Sequence, residues 1–376
     1  MKAILAFDSY KGCLTAHEAC QAASLGLRDV LPDARIITLP MSDGGEGMVE
    51  CVRQALDLSL VRVAVHGPLM EPRQACYALS HDRQTAYMEM AEASGLTLVP
   101  VDRRNPMLTT TCGVGEMLLD AVRRGCRHIV MGIGGSATCD GGRGMVEALQ
   151  GHLSYDTGSL SIEADRHAPY PATCLIDGHP VRVTVASDVI NPLCGPRGAA
   201  AVFAPQKGAT PHQVTLLDQR LHDFALATET LGLVDPSLAL TPGAGAAGGL
   251  GYALMAYLRA RLCPGISLML DLLGFDGHLT DATLILTGEG CSDRQTLMGK
   301  VPQGILSRSR GIPVHLLSGA VTDVPSLLAA GFASVRSINQ GDSRPLAVLM
   351  QKDVAAANLR RACSELVAKS GIIPLH

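Results

Sequence analysis

Aromatic residues make up only 3% of the 376-residue chain, and tryptophan is absent. A stacking platform for nucleic-acid bases or sugar rings is therefore not expected. Basic runs are missing as well. Arg103-Arg104, Arg123-Arg124 and Arg360-Arg361 are scattered pairs in a chain of net charge −4 and pI about 6.3. The electrostatic footprint of a nucleic-acid binder is absent. No stretch of roughly twenty apolar residues occurs, which excludes a membrane-spanning helix. The opening run Ala3-Ile4-Leu5-Ala6-Phe7 is too short for the apolar core of a signal peptide, and no small-residue cleavage site follows it. These absences predict a cytoplasmic chain with neither nucleic-acid nor membrane partners. The twelve cysteines are spread from Cys13 to Cys363 with no Cys-x-x-Cys pair and no Cys/His cluster at zinc spacing. They read as buried thiols in a reducing compartment. There is no Gly-x-x-x-x-Gly-Lys-Ser/Thr loop, no Gly-x-Ser-x-Gly and no His-Glu-x-x-His.

What is present is glycine-bearing loops at the ends of apolar runs. The chain is long enough for two cores. Residues 3–7 read as a buried strand leading into the loop Asp8–Gly12. Thr15-x-x-Glu18 then predicts a capping box on a helix reaching about Val30. A second strand, 36–39, meets the polar loop 40–47 and a further helix. Around 60–91 the alternation changes to an antiparallel pattern, with a hairpin about His81-Asp82. Residues 151–180 are poorly patterned and read as loop. Gly243–Gly249 is expected to open a helix running to about Arg261. After 281 strand and helix alternate cleanly to the end. The reading is an α/β protein of two α/β domains. Residues 1–62 and 281–376 are expected to form a doubly wound, Rossmann- or flavodoxin-like parallel-sheet domain, with 63–280 inserted as a mixed α/β domain.

The loops mix residue types in a telling way. Glycines let backbone N–H groups approach an oxyanion. Carboxylates in the same place repel phosphate and make sense when a cation bridges the two. Lys11, Lys207 and Lys300 together with Asp43, Glu46, Asp140, Asp188, Glu289 and Asp293 fit a nucleotide plus a metal ion. Any one of these loops taken alone is more often a structural turn. Gly243-x-Gly-x-x-Gly248 formally matches a dinucleotide fingerprint, but a proline rather than a strand precedes it. An NAD(P)-dependent hydroxy-acid oxidoreductase is the alternative it supports.

Seven motifs in order resemble the type I glycerate kinases. They are Asp8–Gly12, Pro40–Gly47, Gly132–Thr138, Ala186–Gly195, Pro205–Gly208, Gly243–Gly251, and Thr287–Gly290 with Asp293, Gln295, Thr296, Gly299 and Lys300. The resemblance implies two α/β domains with the active site in the cleft between them. It also implies transfer of the γ-phosphoryl group of ATP to D-glycerate, giving 2-phosphoglycerate, with Mg²⁺; the expected assembly, monomer or homodimer, is left open. Catalytic candidates are Asp188, Lys11 and Asp293. Gly44, Gly45, Gly134, Gly135, Ser136, Lys207, Gly288 and Lys300 are candidates for the nucleotide. Ser9, Asn191, Arg197 and Gln295 are candidates for the substrate, and Glu289, Asp293 and Asp43 for the metal. The chain departs from the family pattern at Tyr10 and Cys13 (Phe and Ser), Cys139 (Asn), Arg143 (a small residue) and Cys291 (Arg). A catalytically weakened glycerate-binding relative is the reading that Cys139 and Cys291 would support.

Overall fold

The computed structural model describes residues 1–45, 47–156 and 173–369, and the chain falls into two compact units. The first comprises Met1–Asp43, Glu50–Leu56 and the chain from Ile266 on; the second comprises Gly44–Val49 and Asp57–Gly265. The expected boundaries at 62 and 281 lie beside these. Strand Ser59–His66 pairs with Pro72–Leu79 in the second unit, and residues 266–280 lie in the first.

Strand Lys2–Phe7 is the fourth of the five strands in the first unit's sheet, with a neighbour on each side. Its Ala3, Leu5 and Phe7 share a core with Leu284, Leu286 and Leu317, covered by helices Ala16–Arg28 and Lys352–Lys369. Ile4, Ala6 and Ile285 are equally buried on the opposite face, because successive side chains alternate across a strand. A strand buried on both faces reads as a continuous apolar run, which is what the sequence displays. The sheet is wholly parallel, in the order Ser334–Ser337, Val314–Ser318, Leu284–Gly288, Lys2–Phe7, Arg35–Thr38. From the first strand the chain steps one way to Arg35–Thr38, and later the other way to Leu284–Gly288. The sheet therefore reverses direction beside Lys2–Phe7, the place where open α/β sheets bind ligands. Thr15 and Glu18 form the expected capping box: Glu18 N–H donates to Thr15 Oγ1 (3.2 Å) and Thr15 N–H to Glu18 Oε2 (3.0 Å).

The second unit holds a mixed sheet. Its strands run Ser59–His66, Pro72–Leu79, Thr85–Glu89, His128–Gly132, His179–Ala186, Thr173–Ile176, Leu153–Asp156, and Arg261–Cys263 also pairs with His179–Ala186. Thr85–Glu89, His128–Gly132, His179–Ala186 and Arg261–Cys263 are mutually parallel where they pair. The hairpin about His81-Asp82 forms as expected. Two expectations are corrected. Residues 151–180 contain the antiparallel strands Leu153–Asp156 and Thr173–Ile176, with 157–172 outside the described residues. Gly243–Gly249 opens no long helix: Ala246–Gly249 is a 3₁₀ turn with left-handed Ala247 and Gly248, and the α-helix after it spans only Leu250–Leu258.

Candidate active site

In the first unit the loops leaving the parallel strands converge on one cavity. It is lined by Asp8, Ser9, Tyr10 and Lys11 after the first strand, Asp43 after the second, and Glu289, Gly290 and Cys291 after Leu284–Gly288. Lys300 joins them, and Ile338, Leu346, Leu349 and Met350 form an apolar wall. The cavity measures about 490 Å³, within the range of small-molecule sites.

Three carboxylates around this space repel one another. Burial, and then the charge of Asp43, pushes the Asp8 carboxyl up to about 7; Glu289 adds to the rise, while the Ser9 N–H (2.6 Å) and Lys11 oppose it. Glu289 is the buried hub of the next loop. Its Oε1 accepts from Ser292 Oγ (3.0 Å) and Thr296 Oγ1 (2.6 Å), and its Oε2 faces Lys300 Nζ at 3.4 Å. Asp293 caps the short turn Arg294–Leu297, accepting from Gln295 N–H at 2.7 Å. Asp293 and Gln295 are not among the residues lining the cavity. Gly288 sits where a Cβ would lie 1.7 Å from the Leu317 carbonyl oxygen, so the neighbouring strand admits only glycine there. Beside it, Tyr10 Oη donates to that same carbonyl at 2.6 Å. The hydroxyl that distinguishes Tyr10 from Phe thus has a buried partner. Cys291 is exposed at the cavity, and the neighbouring Arg294 pairs with Asp323 at 3.1 Å.

The second unit gathers the other candidates. Gly44, left-handed at φ 86°, is packed so that a Cβ would meet Gly265 Cα at 2.8 Å and Ala186 Cβ at 2.7 Å. Gly132 backs onto the Gly44 carbonyl and Gly134 onto Gly45. Gly134 and Gly135 are exposed, while Ser136 is buried. Its hydroxyl accepts from Lys207 Nζ at 2.7 Å, and the same ammonium donates to the Thr138 carbonyl at 2.6 Å. Burial drives the Lys207 amine down to about 8. Asp188 is exposed just after strand His179–Ala186 and accepts from the N–H of Gly265, the first residue of helix Gly265–Leu272, at 3.1 Å. Asn191 donates to the Arg197 carbonyl at 2.7 Å, and the Arg197 side chain is exposed. Asp140 spends its carboxylate on Thr111 N–H and Oγ1 (2.9 and 2.8 Å) and on Gly142 and Gly144 N–H (3.1 and 3.2 Å). Cys139 is buried, and burial lifts its thiol to about 11.

Two further residues emerge only in three dimensions. Asp8 is visible in sequence as a loop residue, but its place between Asp43 and Glu289 is not. Glu89 receives Val49 N–H at 2.8 Å and Gly47 N–H at 3.3 Å, tying the 44–49 segment to the central sheet. No local signal announces a partner forty residues away. Glu46 lies outside the described residues.

The reversal point of a parallel sheet, ringed by carboxylates and lysines, defines an α/β enzyme that handles an anionic ligand. A model of the glycerate kinase family matches residues 3–370. A glycerate kinase of Bacillus subtilis (strain 168) is 43% identical over 350 residues, 91% of each chain. A glycerate 2-kinase of Escherichia coli (strain K12) is 42% identical over 337 residues, 86% of each chain. A crystal structure from Salmonella typhimurium LT2, described as glycerate kinase 2, superposes with a TM-score of 0.82 at 38% identity, covering 99% of this chain and 98% of that one. The chain belongs to the glycerate kinase family, and it is an ATP-dependent kinase. The dinucleotide alternative fails on its own condition, since a 3₁₀ turn, Pro236–Leu240, and not a strand precedes Gly243. Among the described residues no helix is long and apolar enough to cross a membrane.

Proposed function

We propose that the chain transfers the γ-phosphoryl group of ATP to the 2-hydroxyl of D-glycerate, giving 2-phosphoglycerate and ADP, with Mg²⁺ as the accompanying cation. The observation that carries this reading is the meeting of Lys11, Lys300, Asp8, Asp43 and Glu289 around one cavity with an apolar wall. Lysines suit the phosphates as point charges, and Ile338, Leu346, Leu349 and Met350 suit a flat apolar base.

The donor chemistry fits Mg²⁺. All the acidic groups offer hard oxygen, and the Asp8 carboxyl, raised first by burial and then by the charges of Asp43 and Glu289, stands where a divalent ion would relieve their repulsion. Asp8, Asp43 and Glu289 are the proposed holders, the last also pinned to Lys300. When bound, the ion would neutralise charge on the transferring phosphoryl group. Asp293 acts in this scheme through the turn it caps, which leads to Lys300.

As the alcohol oxygen bonds to phosphorus, the bond to the β–γ bridging oxygen breaks and the hydroxyl proton leaves to a base. Asp188 is the proposed acceptor, aimed by the Gly265 N–H. Asn191 and Arg197, which follow Asp188 in the same loop, are the proposed glycerate contacts of the second unit. Twelve free thiols suit a reducing cytoplasm. Phosphorus NMR of the product tests the reading. The expected product is one phosphomonoester whose phosphorus couples to a single carbinol proton. Coupling to two protons would mean the 3-hydroxyl, and unchanged ATP would sink the proposal.

A further inference from the structure

In the second unit, on residues given no role above, three chemically unlike donors meet. His66 ends strand Ser59–His66, and Cys112 and Glu116 stand on the first turns of helix Cys112–Arg123. The spacing i, i+4 puts the thiol and the carboxylate on one helical face. Their ligand atoms and a His66 ring nitrogen all lie within 4.8 Å of one another. His66 Nδ1 is 2.7 Å from Glu116 Oε1, and Cys112 Sγ is 4.0 Å from the same oxygen. We propose that His66, Cys112 and Glu116 form a binding site for a borderline transition-metal ion, Zn²⁺ foremost, separate from the kinase site.

The donor set is what selects the ion. One thiolate, one imidazole and one carboxylate form the mixed sulfur, nitrogen and oxygen set that Zn²⁺ accepts, and the two anionic ligands balance its charge. Mg²⁺ prefers oxygen alone, so the two cations are not interchangeable between the sites. A histidine–glutamate pair by itself needs no sulfur; Cys112 supplies the third corner. Tetrahedral coordination at normal bond lengths separates such donors by about 3.4–3.6 Å. The histidine–glutamate gap must open, and the sulfur–carboxylate gap close, by well under about 1 Å, within reach of side-chain rotation.

The backbone under the cluster is already fixed. A Cβ at Gly113 would lie 2.0 Å from the His66 carbonyl oxygen, so the helix start is pressed onto the strand end. Glu116 Oε2 accepts His66 N–H at 2.6 Å, which holds the carboxylate while Oε1 faces the ring. Such supporting bonds orient metal ligands. Three protein ligands leave a fourth position open, and the His66 and Glu116 side chains are 43% and 28% exposed, which gives an ion a path in. An ion here would clamp helix to strand one residue from Thr111, which is bonded to Asp140 in the glycine loop.

Cobalt tests this directly, because a cobalt–thiolate bond produces a charge-transfer band that oxygen and nitrogen ligands do not. The full chain, stripped with chelator and kept reduced, is titrated with Co²⁺. The expected result is one equivalent bound with that band, displaced by Zn²⁺, since Zn²⁺ binds such sites more tightly. Cys112→Ser should abolish the band, and Glu116→Gln should weaken binding at least tenfold, both with Mg²⁺-dependent kinase activity retained as proof of folding. Cys291→Ser, at the exposed thiol of the other unit, should leave the band unchanged. No band in the parent protein, a band surviving in Cys112→Ser, or one lost in Cys291→Ser would each overturn the assignment.

Discussion

Lys207 offers a sharp test, because its buried ammonium makes a pH-dependent contribution with a definite sign. Its amine titrates near 10.5 in an unfolded chain and at about 8 in the folded one, through burial. That gap is worth about 3 kcal/mol of preference for the neutral form. Below pH 8 both states carry the proton and the folded protein bears the full cost. Between about 8 and 10.5 the unfolded chain alone keeps the proton, so stability rises with pH across that window. Lys207→Met removes this rise. It also leaves Ser136 Oγ and the Thr138 carbonyl without their donor, a loss of about 1–3 kcal/mol each at any pH. The parent chain should therefore outlast the variant by a margin that widens by about 3 kcal/mol from pH 7.5 to 10.5. Urea unfolding of both proteins under reducing conditions measures that margin, and the tyrosines and the thiols other than Cys139, which feels the Lys207 charge, cancel in the difference. The same variant should keep its KM for ATP within about threefold at pH 7.5 (under about 1 kcal/mol), because both bonds of the ammonium go into the protein. A constant margin across pH would refute the buried-amine account. A tenfold rise in KM with unchanged stability would instead make Lys207 a nucleotide contact.

Three further outcomes follow from the site. Asp8 must shed a proton near pH 7 before it can face a cation, so the Mg²⁺ concentration giving half-maximal rate should rise as pH falls from 8 to 6. Asp8→Asn should flatten that profile, and an unaltered slope in the variant would exclude Asp8. Asp188→Asn should lower kcat by roughly a hundredfold or more with ATP binding retained, as loss of a general base requires; a loss of only a few-fold would dismiss the role. Gly288→Ala should destabilise the first unit by about 3 kcal/mol, since the Leu317 carbonyl must move away from the new methyl group; an unshifted melting temperature would count against the close contact.

Much of the first unit could be read from the chain because its signals are local. A strand buried on both faces shows as Ala3–Phe7, and Thr15 with Glu18 announces the helix that follows. The second unit was harder where elements are short or end in glycine. Leu153–Asp156 alternates apolar with polar over only four residues, too few to mark a strand, and Thr173–Ile176 does not alternate at all. After Gly243 the apolar residues continue to Leu258, but left-handed Ala247, Gly248 and Gly249 interrupt the helix that composition alone suggests. The site divides in the same way. Residue types and loop positions pointed to Lys11, Asp43, Glu289 and Lys300, which share one cavity. They could not separate Lys207 and Asp140, whose polar groups are spent on bonds inside the second unit, because those partners are settled by tertiary packing.

The sheet that pairs Lys2–Phe7 with Leu284–Gly288 also has a consequence for how the protein is made. The first strand leaves the ribosome with one neighbour, Arg35–Thr38, close behind, but its other neighbour follows some 280 residues later. At ordinary rates of synthesis that is a delay of roughly 15–60 s. Throughout it, one edge of an apolar strand has no native partner, while the chain of the second unit is completed and free to fold. An unpaired apolar edge is a template for association with other nascent chains. Slower translation of the stretch before Leu284 should therefore lower the soluble yield more than the same slowing placed after Ser337.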